Sequence, residues 1–285
     1  MIIGIISYLP DNDSLREKRI NAHHKQLELF NKLNCKIYIL AQNYRDTDYI
    51  ENNNNIIYFK LEEGIGPSRA RNMLLDNFYN GDEDWMLLCD DDRYFYDYYD
   101  IFNFFNELNL TPDKFIKLDY IRSHIANKLP FKKVVYEQPL NLTHYVFEDK
   151  QSIDDTGIAI IKNFKKYYNK EIYYEDMNAK NGEGYEDKDF CCKLKLNNIK
   201  THVLNTFISS SYNYTDNSTL FLNMDTRLKL HKNNNDTIKS KYKDLFVKDK
   251  LKKQYKDSPI IIERKHKMII PDNLLPDYGS KNTLF

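Results

Sequence analysis

The stretch WMLLCDDD, from Trp85 to Asp92, joins a run of apolar residues to three consecutive aspartates. A short apolar run bounded by polar residues predicts a strand that is buried on both faces of a sheet. Three similar runs precede it along the chain, at 2–8, 35–42 and 56–62. The sequence therefore predicts a set of buried strands, the last of which ends in the acidic triplet.

Segments with helical spacing of apolar residues alternate with these strands. One covers 14–33, where Ser14 and Glu17 match a capping box, and another covers about 67–79. Strands that alternate with helices predict the α/β class, with a mainly parallel sheet flanked by helices. Ligands of such a sheet bind at the carboxyl ends of its strands, which is where the acidic triplet lies.

The remainder of the chain continues the mixture of strands and helices. The aromatic stretch at 93–108 predicts a helix that packs on the sheet, and strand-like runs recur between 114–165. A helix is predicted at 187–198 and a late strand at 200–208. The segment at 226–267 differs from the rest, because it holds 14 Lys and Arg against 5 Asp and Glu.

Composition and charge exclude several classes of protein. The chain has 42 Lys and Arg and 42 Asp and Glu, so its formal net charge of zero gives no overall attraction to nucleic acid or anionic lipid. No apolar run reaches the roughly 18 residues of a membrane span, and the N-terminal residues lack the basic region of a signal peptide. We expect a cytoplasmic protein whose 4 cysteines are free thiols, because their spacing suits no zinc site.

The acidic triplet Asp90, Asp91 and Asp92 is the first candidate for chemistry. Carboxylates at a strand end can hold Mg²⁺ or Mn²⁺, and the metal can in turn neutralise a diphosphate. A solvated acidic turn without any ligand would explain the same three residues.

The second candidate is the run GIGPSRARN, from Gly64 to Asn72. Gly64 and Gly66 permit a tight turn, and the proline that follows suits the first turn of a helix. Arg69 and Arg71 then lie near a helix N-terminus, where free N–H groups favour anions. A surface helix with two solvated arginines is the alternative, and a P-loop is excluded because no Gly-Lys-Ser or Gly-Lys-Thr follows.

The third candidate is the run GEGYEDKDF, from Gly182 to Phe190. Two glycines so close together, in a chain with only 8, indicate a loop with a special backbone conformation. Glu186 and Asp187 then begin a helix, where a carboxylate can orient a hydroxyl group and remove its proton. Acidic residues also stabilise helix N-termini without any catalytic role.

These three elements, in this order, resemble the GT-A fold glycosyltransferases, in particular inverting members of the family-2 type. In that family an Ala-Arg-Asn helix lies beside a nucleotide-sugar donor, a DxD-type motif ends the fourth strand, and a Gly-rich loop with Glu-Asp begins the acceptor-side helix. The resemblance covers roughly 1–210. It implies a donor-binding half at 1–100, an acceptor half at 101–215, and a basic helical extension at 216–285 that packs on or near the active site.

The resemblance implies a role for each matching residue. Asp92 would ligate Mn²⁺ or Mg²⁺ with the support of Asp91, and Asp90 would contact the donor ribose or the metal. Asp187 would be the general base on the acceptor hydroxyl, and Glu186 would orient the acceptor. On the donor side, Arg69 and Arg71 would steer the nucleotide sugar, Asn72 would position the adjoining loop, and Ser7, Tyr8 and Gln42 would lie near the base and ribose.

The sequence departs from the family pattern at the third metal ligand. Many relatives place a histidine shortly after the late strand, but the sequence SSSYN at 209–213 contains none. His231 is the better candidate for a metal ligand or a diphosphate contact, with Arg227 and Lys232 beside it. His202 is expected to be a core or edge residue of a strand.

The expected acceptor is a hydroxyl group, and the expected donor is a UDP-sugar. The resemblance extends to phage enzymes that glycosylate 5-hydroxymethylated pyrimidines in DNA. The Tyr-, Asn-, Lys- and Ile-rich composition is typical of an AT-rich genome such as that of a phage, in which case the protein would act in the host cytoplasm. A glycan or cell-surface polysaccharide is the alternative acceptor.

Two other classes of function remain open. A sugar nucleotidyltransferase would also combine an α/β fold with a metal carboxylate, but it normally needs a Gly-rich loop after the first strand, and 8–14 contains no glycine. A non-enzymatic nucleic-acid-binding protein would use the basic segment, but it would leave the two acidic elements unexplained.

Overall fold

The computed structural model of the chain describes residues 1–50, 53–95, 104–108, 110, 115, 117–125, 141–148, 158–175, 186–211, 224–246 and 260–267. The strands are β1 (Ile2–Tyr8), β2 (Lys36–Gln42), β3 (Ile56–Leu61), β4 (Trp85–Asp90), β5 (Arg93–Phe95), β6 (Tyr120–Ile125), β7 (Asn141–Glu148), β8 (Ala159–Lys162), β9 (Thr201–Ser211) and β10 (Ile260–Lys267). The helices that surround the sheet include α1 (Asp13–Phe30), α2 (Pro67–Tyr79), α3 (Phe164–Tyr168), α4 (Glu186–Leu196) and α5 (Met224–Lys241). No helix among the described residues is long and apolar enough to cross a membrane.

The strands form one sheet in the order β10-β7-β9-β6-β8-β4-β1-β2-β3, with β5 paired to β9 outside this path. Strands β1, β2, β3 and β4 pair in parallel, so their carboxyl ends meet at one edge. Beyond β4 the sheet is mixed, because β8 runs antiparallel to both β4 and β6, whereas β6 and β9 run parallel. The predicted α/β class is confirmed, and the continuous parallel part of the sheet lies in the first half of the chain.

The two faces of this sheet carry separate hydrophobic cores. Side chains of a strand alternate between faces, so Ile3 and Ile5 pack with Leu27 of α1, whereas Ile2 packs with Leu74 of α2. Helices α1 and α2 therefore cover opposite faces. Residues of α4 belong to the same cluster as those of α2, so α2 and α4 lie on the same face.

The loop before α2 has the backbone that its glycines predict. Gly66 has a φ of 84°, a conformation in which a side chain would be strained. A Cβ atom at Gly64 would lie 2.9 Å from the ring of Tyr8, so the loop packs directly on the end of β1. The side chain of Gln42 accepts a hydrogen bond of 2.9 Å from the backbone N–H of Ile65. These contacts hold the start of α2 at the carboxyl edge of the sheet.

Three local expectations need correction. The cap of α1 is Asn12, which precedes the predicted Ser14 and accepts a hydrogen bond of 3.1 Å from the backbone N–H of Leu15. The stretch at 93–108 is not one helix, because it begins with β5, which takes its hydrogen bonds from β9, and is helical at 104–108. The basic segment contains the predicted helix, α5, but it also supplies β10, which pairs with β7.

Candidate active site

The guanidinium of Arg71 joins the two acidic elements that the sequence singled out. Its Nη2 donates a hydrogen bond of 3.0 Å to Asp90 Oδ1 at the end of β4. Its Nη1 lies 2.8 Å from Glu186 Oε1 and 3.2 Å from Asp187 Oδ1, at the start of α4. Carboxylates from distant parts of the chain thus meet within reach of one side chain.

Arg71 is only 4% exposed, so these ion pairs are shielded from water. Burial by itself would lower the pKa of Arg71, but the negative charges of Asp187, Asp90 and Glu186 outweigh it and hold that pKa well above its usual value. The predicted role of Arg71 in steering the donor stays a prediction. Its position in the structure is that of a connector between carboxylates.

A second arginine, Arg93, contacts the acidic triplet directly. Its Nη2 donates a hydrogen bond of 3.4 Å to Asp90 Oδ2, and its Nε lies 3.5 Å from Asp92 Oδ1. The site therefore holds two guanidinium groups, those of Arg71 and Arg93, and four carboxylates, two from the triplet and two from α4. Its formal charge is −2. A site with this excess of negative charge suits a divalent cation.

One oxygen of Asp92 differs from those of Asp90 and Asp91 in its surroundings. Its Oδ1 is shielded from solvent and accepts no hydrogen bond from the described residues. Burial raises the pKa of Asp92 to about 6, against the opposing charge of Arg93. An oxygen in this state fits a ligand of Mn²⁺ or Mg²⁺, since the cation would compensate its charge.

A protein-only metal cage does not exist in the described parts of the chain. No three side chains of His, Cys, Asp or Glu are arranged there so that they could hold a metal ion by themselves. Mg²⁺ is commonly held by one or two carboxylates together with substrate phosphates and water. The carboxylates of Asp90 and Asp92 match that kind of site, in which a bound diphosphate supplies the remaining oxygens.

Asp91 faces the other side of the sheet from Asp90. It is 1% exposed, and its two oxygens accept hydrogen bonds of 2.5 Å from Ser7 Oγ and 2.6 Å from Arg19 Nη2 of α1. The hydroxyl of Ser7 also lies 2.5 Å from the hydroxyl of Tyr44. Asp91 therefore stabilises the turn that follows β4, and its predicted support of a metal at Asp92 stays a prediction. The hydroxyl of Ser7 is buried and bonded to protein groups, and its predicted place near the base and ribose stays a prediction as well.

The backbone of the triplet is fixed by Gln26 of α1. Its Nε2 donates hydrogen bonds of 2.8 Å to the carbonyl oxygen of Asp90 and 3.0 Å to that of Arg93. Neither Gln26 nor Arg19 belongs to a motif that the sequence makes recognisable. Both look like ordinary polar residues of an amphipathic helix, and the only signal was that their helix follows the first strand of the parallel sheet.

Asn72 positions the segment that leads toward α4. Its side-chain amide donates a hydrogen bond of 2.9 Å to the carbonyl oxygen of Tyr174 and accepts one of 2.8 Å from its N–H. The ring of Tyr174 stacks on Phe190 of α4, with ring centroids 4.1 Å apart, and the guanidinium of Arg71 lies 5.2 Å from its centre. Asn72 thus holds the segment around Tyr174 against α2, and its predicted role beside the donor stays a prediction.

The other residues predicted on the donor side lie around the same edge of the sheet. Tyr8 and Gln42 end β1 and β2 and contact the loop before α2. Arg69 is exposed in the first turn of α2. The structure thus brings these residues to the edge at which the acidic triplet lies, and their contacts with a donor stay predictions.

The candidates in the second half of the chain are described only in part. Lys232 is exposed on α5, and His202 is a buried residue of β9, as predicted. The side chains of Arg227 and His231 and the glycine loop at 182–185 lie outside the described residues. Their roles as ligands or as a special loop stay predictions.

Replacement of Arg71 by methionine should destabilise the fold, because three carboxylates would lose the cation that they share. Removal of one partner from a buried ion pair typically costs about 3–5 kcal/mol, which urea denaturation would measure. The double variant Arg71→Met, Glu186→Gln should recover part of this loss, since it removes one of the repelling charges. Arg69→Met, at an exposed site on the same helix, is the control, and an equal loss there would contradict the shared-cation role.

No family model and no curated protein matches this chain. Among solved structures, the chain is similar to the mannosyltransferase PcManGT from Pyrobaculum calidifontis in complex with GDP-Man and Mn²⁺, with a TM-score of 0.45 and 11% identity over 75% of this chain and 58% of that one. It is also similar to S. aureus TarS, with a TM-score of 0.42 and 17% identity over 72% of this chain and 58% of that one. A third similar structure is GalNAc-T7 with UDP, GalNAc and Mn²⁺, with a TM-score of 0.48 and 11% identity over 76% of this chain and 44% of that one. The alignments cover less than two thirds of each of these proteins, and likenesses of this size concern the arrangement of strands and helices alone.

Proposed function

We propose that the protein is a metal-dependent glycosyltransferase that moves a sugar from a nucleotide sugar, such as a UDP-sugar, to a hydroxyl acceptor with inversion. The observation that carries this proposal is the meeting of two acidic elements around Arg71. One element, Asp90 and Asp92, ends a strand of the parallel half-sheet, and the other, Glu186 and Asp187, begins a helix. Donor and acceptor chemistry need separate carboxylates close together, and this arrangement supplies them.

On the donor side, Asp90 and Asp92 would hold Mn²⁺ or Mg²⁺. The fit rests on the shielded oxygen of Asp92, which accepts no hydrogen bond from the described part of the chain, and on the negative charge of the site. When bound, the metal would neutralise charge on the departing nucleoside diphosphate. Arg93 lies beside both carboxylates and would fix their orientation.

On the acceptor side, Asp187 is the proposed general base. Its side chain is 24% exposed, and its Oδ1, which lies 3.2 Å from Arg71 Nη1, is shielded from solvent. An acceptor hydroxyl would therefore approach the other oxygen, Oδ2. As the hydroxyl oxygen attacks the anomeric carbon, Asp187 would take its proton while the bond to the diphosphate breaks on the opposite face. Because the hydroxyl oxygen attacks the side of the anomeric carbon opposite the departing diphosphate, the transfer inverts its configuration. Glu186 is nearly buried and bonded to Arg71, so it would orient this carboxylate through the shared arginine.

The acceptor that we favour is a 5-hydroxymethylated pyrimidine in DNA. The spacing of Lys229, Lys232 and Lys239 places them on one side of α5, and all three are exposed, while Ile238 on another side is buried. A row of lysines on one helix face fits the phosphates of a DNA backbone. The modified base would have to leave the stack for its hydroxyl to reach Asp187. A glycan is the alternative acceptor.

Donor hydrolysis tests the proposal most directly. The protein, incubated with Mn²⁺ and a panel of nucleotide sugars, should release nucleoside diphosphate and free sugar from one of them, because water can replace the acceptor. EDTA should abolish the release, and Asp92→Asn should raise the Mn²⁺ concentration for half-maximal rate by about tenfold or more. Asp82→Asn, an exposed carboxylate before the start of β4, is the matched control. Hydrolysis that resists EDTA, or pyrophosphate as the product, would refute the proposal.

Asp187→Asn should lower sugar transfer by about 10²–10⁴-fold, because the amide cannot take the proton of the acceptor. The affinity for the donor should stay unchanged, since the donor lies against the carboxylates of β4. Initial rates of transfer and calorimetric titration with the donor separate the two effects. Full turnover in this variant would show that Asp187 is not the base.

Transfer to hydroxymethylated DNA should fall steeply as salt rises, because each lysine that contacts a phosphate displaces counterions. The double variant Lys229→Met, Lys232→Met should reduce the slope of log affinity against log salt by about 2. Donor hydrolysis, measured over the same salt series, is the control and should change little. Transfer that ignores salt, or that uses only free sugars, would favour the glycan acceptor.

A further inference from the structure

Helix α5 docks on α4 through a buried carboxylate to which the proposed reaction assigns no role. Asp189 is 0% exposed, and its Oδ1 accepts hydrogen bonds of 2.9 Å from Lys241 Nζ and 2.6 Å from the hydroxyl of Tyr242. Its Oδ2 lies 2.9 Å from Lys193 Nζ, on the same helix. Two of these three partners belong to the basic C-terminal segment.

A carboxylate at this depth needs those partners. Burial would raise the pKa of Asp189, but the hydrogen bonds from Tyr242 and Lys241, together with the positive charge of Lys193, hold it below its usual value. Without Lys241 and Tyr242, the charge would be left with one lysine of its own helix. An incompletely paired buried charge is costly, so the pairing favours the docked position of α4.

Further apolar and ionic contacts surround the bonds of Asp189, and together they form the joint between α4 and the C-terminal segment. Cys192 of α4 packs with Ile238 and Tyr242 in a small buried cluster. Lys241 also pairs with Glu175, which lies 3.3 Å from Lys193. Since Glu175 follows the segment that Asn72 holds against α2, the joint connects α2, α4 and α5.

The geometry of a helix relates this joint to the proposed base. Residues two apart on an α-helix point about 200° away from each other. Asp187 can therefore face Arg71 while Asp189 faces α5, and both lie in the first turn of α4. That turn is held from opposite sides, by Arg71 and by the C-terminal segment.

We propose that Lys241 and Tyr242 are positioning residues for Asp187. They bond to Asp189 and so fix the first turn of α4, which sets the place of the base relative to the donor carboxylates. The inference rests on the proposed function, because it takes Asp187 as the base. It assigns the C-terminal segment a part in the transfer step that is separate from any contact with an acceptor.

The test uses the full chain with the double variant Lys241→Met, Tyr242→Phe, in which the phenylalanine ring keeps the packing against Cys192. Ser240→Ala, an exposed hydroxyl next to the pair, is the matched control, and Lys241→Arg is the conservative variant. The first measurement is hydrogen exchange of the amides from Phe190 to Lys193, which bond to carbonyls of the first turn of α4. The second is the ratio of sugar transfer to donor hydrolysis.

We expect faster exchange that is confined to these amides, and transfer lower by up to about a hundredfold, with donor KM and hydrolysis unchanged. The control and Lys241→Arg should both stay close to the wild type. Unchanged exchange in α4, or a rise in donor KM without a fall in transfer, would overturn the inference. So would faster exchange throughout β1 to β4, because it would indicate a general loss of stability.

Failure of the two proposals can be told apart. If the wild type hydrolyses no nucleotide sugar, the proposed function fails, and the exchange of α4 still decides whether the C-terminal segment holds that helix. If donor hydrolysis and transfer are present but neither exchange nor transfer responds to the double variant, the positioning role alone fails.

Discussion

The ion pairs of Arg71 are the contacts on which the candidate site depends. A buried guanidinium is unfavourable without anions, and carboxylates brought together without a cation repel one another. Arg71 satisfies both conditions at once, because it reaches Asp90 at the end of β4 and Glu186 115 residues away along the chain. An electrostatic requirement therefore constrains the position of α4 relative to the parallel half-sheet, in addition to its apolar packing.

Two residues of the acidic triplet, Asp90 and Asp91, have their partners on opposite faces of the sheet. Asp90 turns to the face of α2, where Arg71 and Arg93 meet it, and Asp91 turns to the face of α1, where Ser7 and Arg19 satisfy it. Asp91 thus stabilises the turn, which keeps Asp90 and Asp92 at the carboxyl edge of the sheet. The aspartates acquire different roles because the chain turns directly after β4, and Asp90 and Asp91 then meet partners on opposite faces of the sheet.

The basic C-terminal segment has two separate surfaces. One side of α5 packs on α4 through the buried side chain of Ile238 and through the contact of Lys241 with Asp189. Another carries exposed lysines that no described acidic residue neutralises, such as Lys232 and Lys239. The zero net charge of the whole chain therefore conceals a local excess, and the same helix can join the fold on one side and offer positive charge on another.

Much of the fold could be predicted from local patterns. The runs that became β1 to β4, and the helical spacing that became α1, α2 and α4, were recognisable because periodicity depends on neighbours a few residues apart. The same approach misplaced the cap of α1 and treated the start of 93–108 as helix. Helix α1 is capped by Asn12, two residues before the predicted cap. The start of 93–108 is a strand because it pairs with β9, which is distant in sequence.

By itself, the sequence determined the order of strands and helices, the turn at Gly66, and the two acidic elements that a metal and a base would need. Only the tertiary structure decided which carboxylates share a cation, which are shielded from water and which accept hydrogen bonds. It alone placed Gln26 against the backbone of Asp90 and Tyr242 against the carboxylate of Asp189. The reason is physical. A local pattern states which face of an element is apolar, but the strength of a charge–charge contact depends on distance and burial, and those exist only after folding.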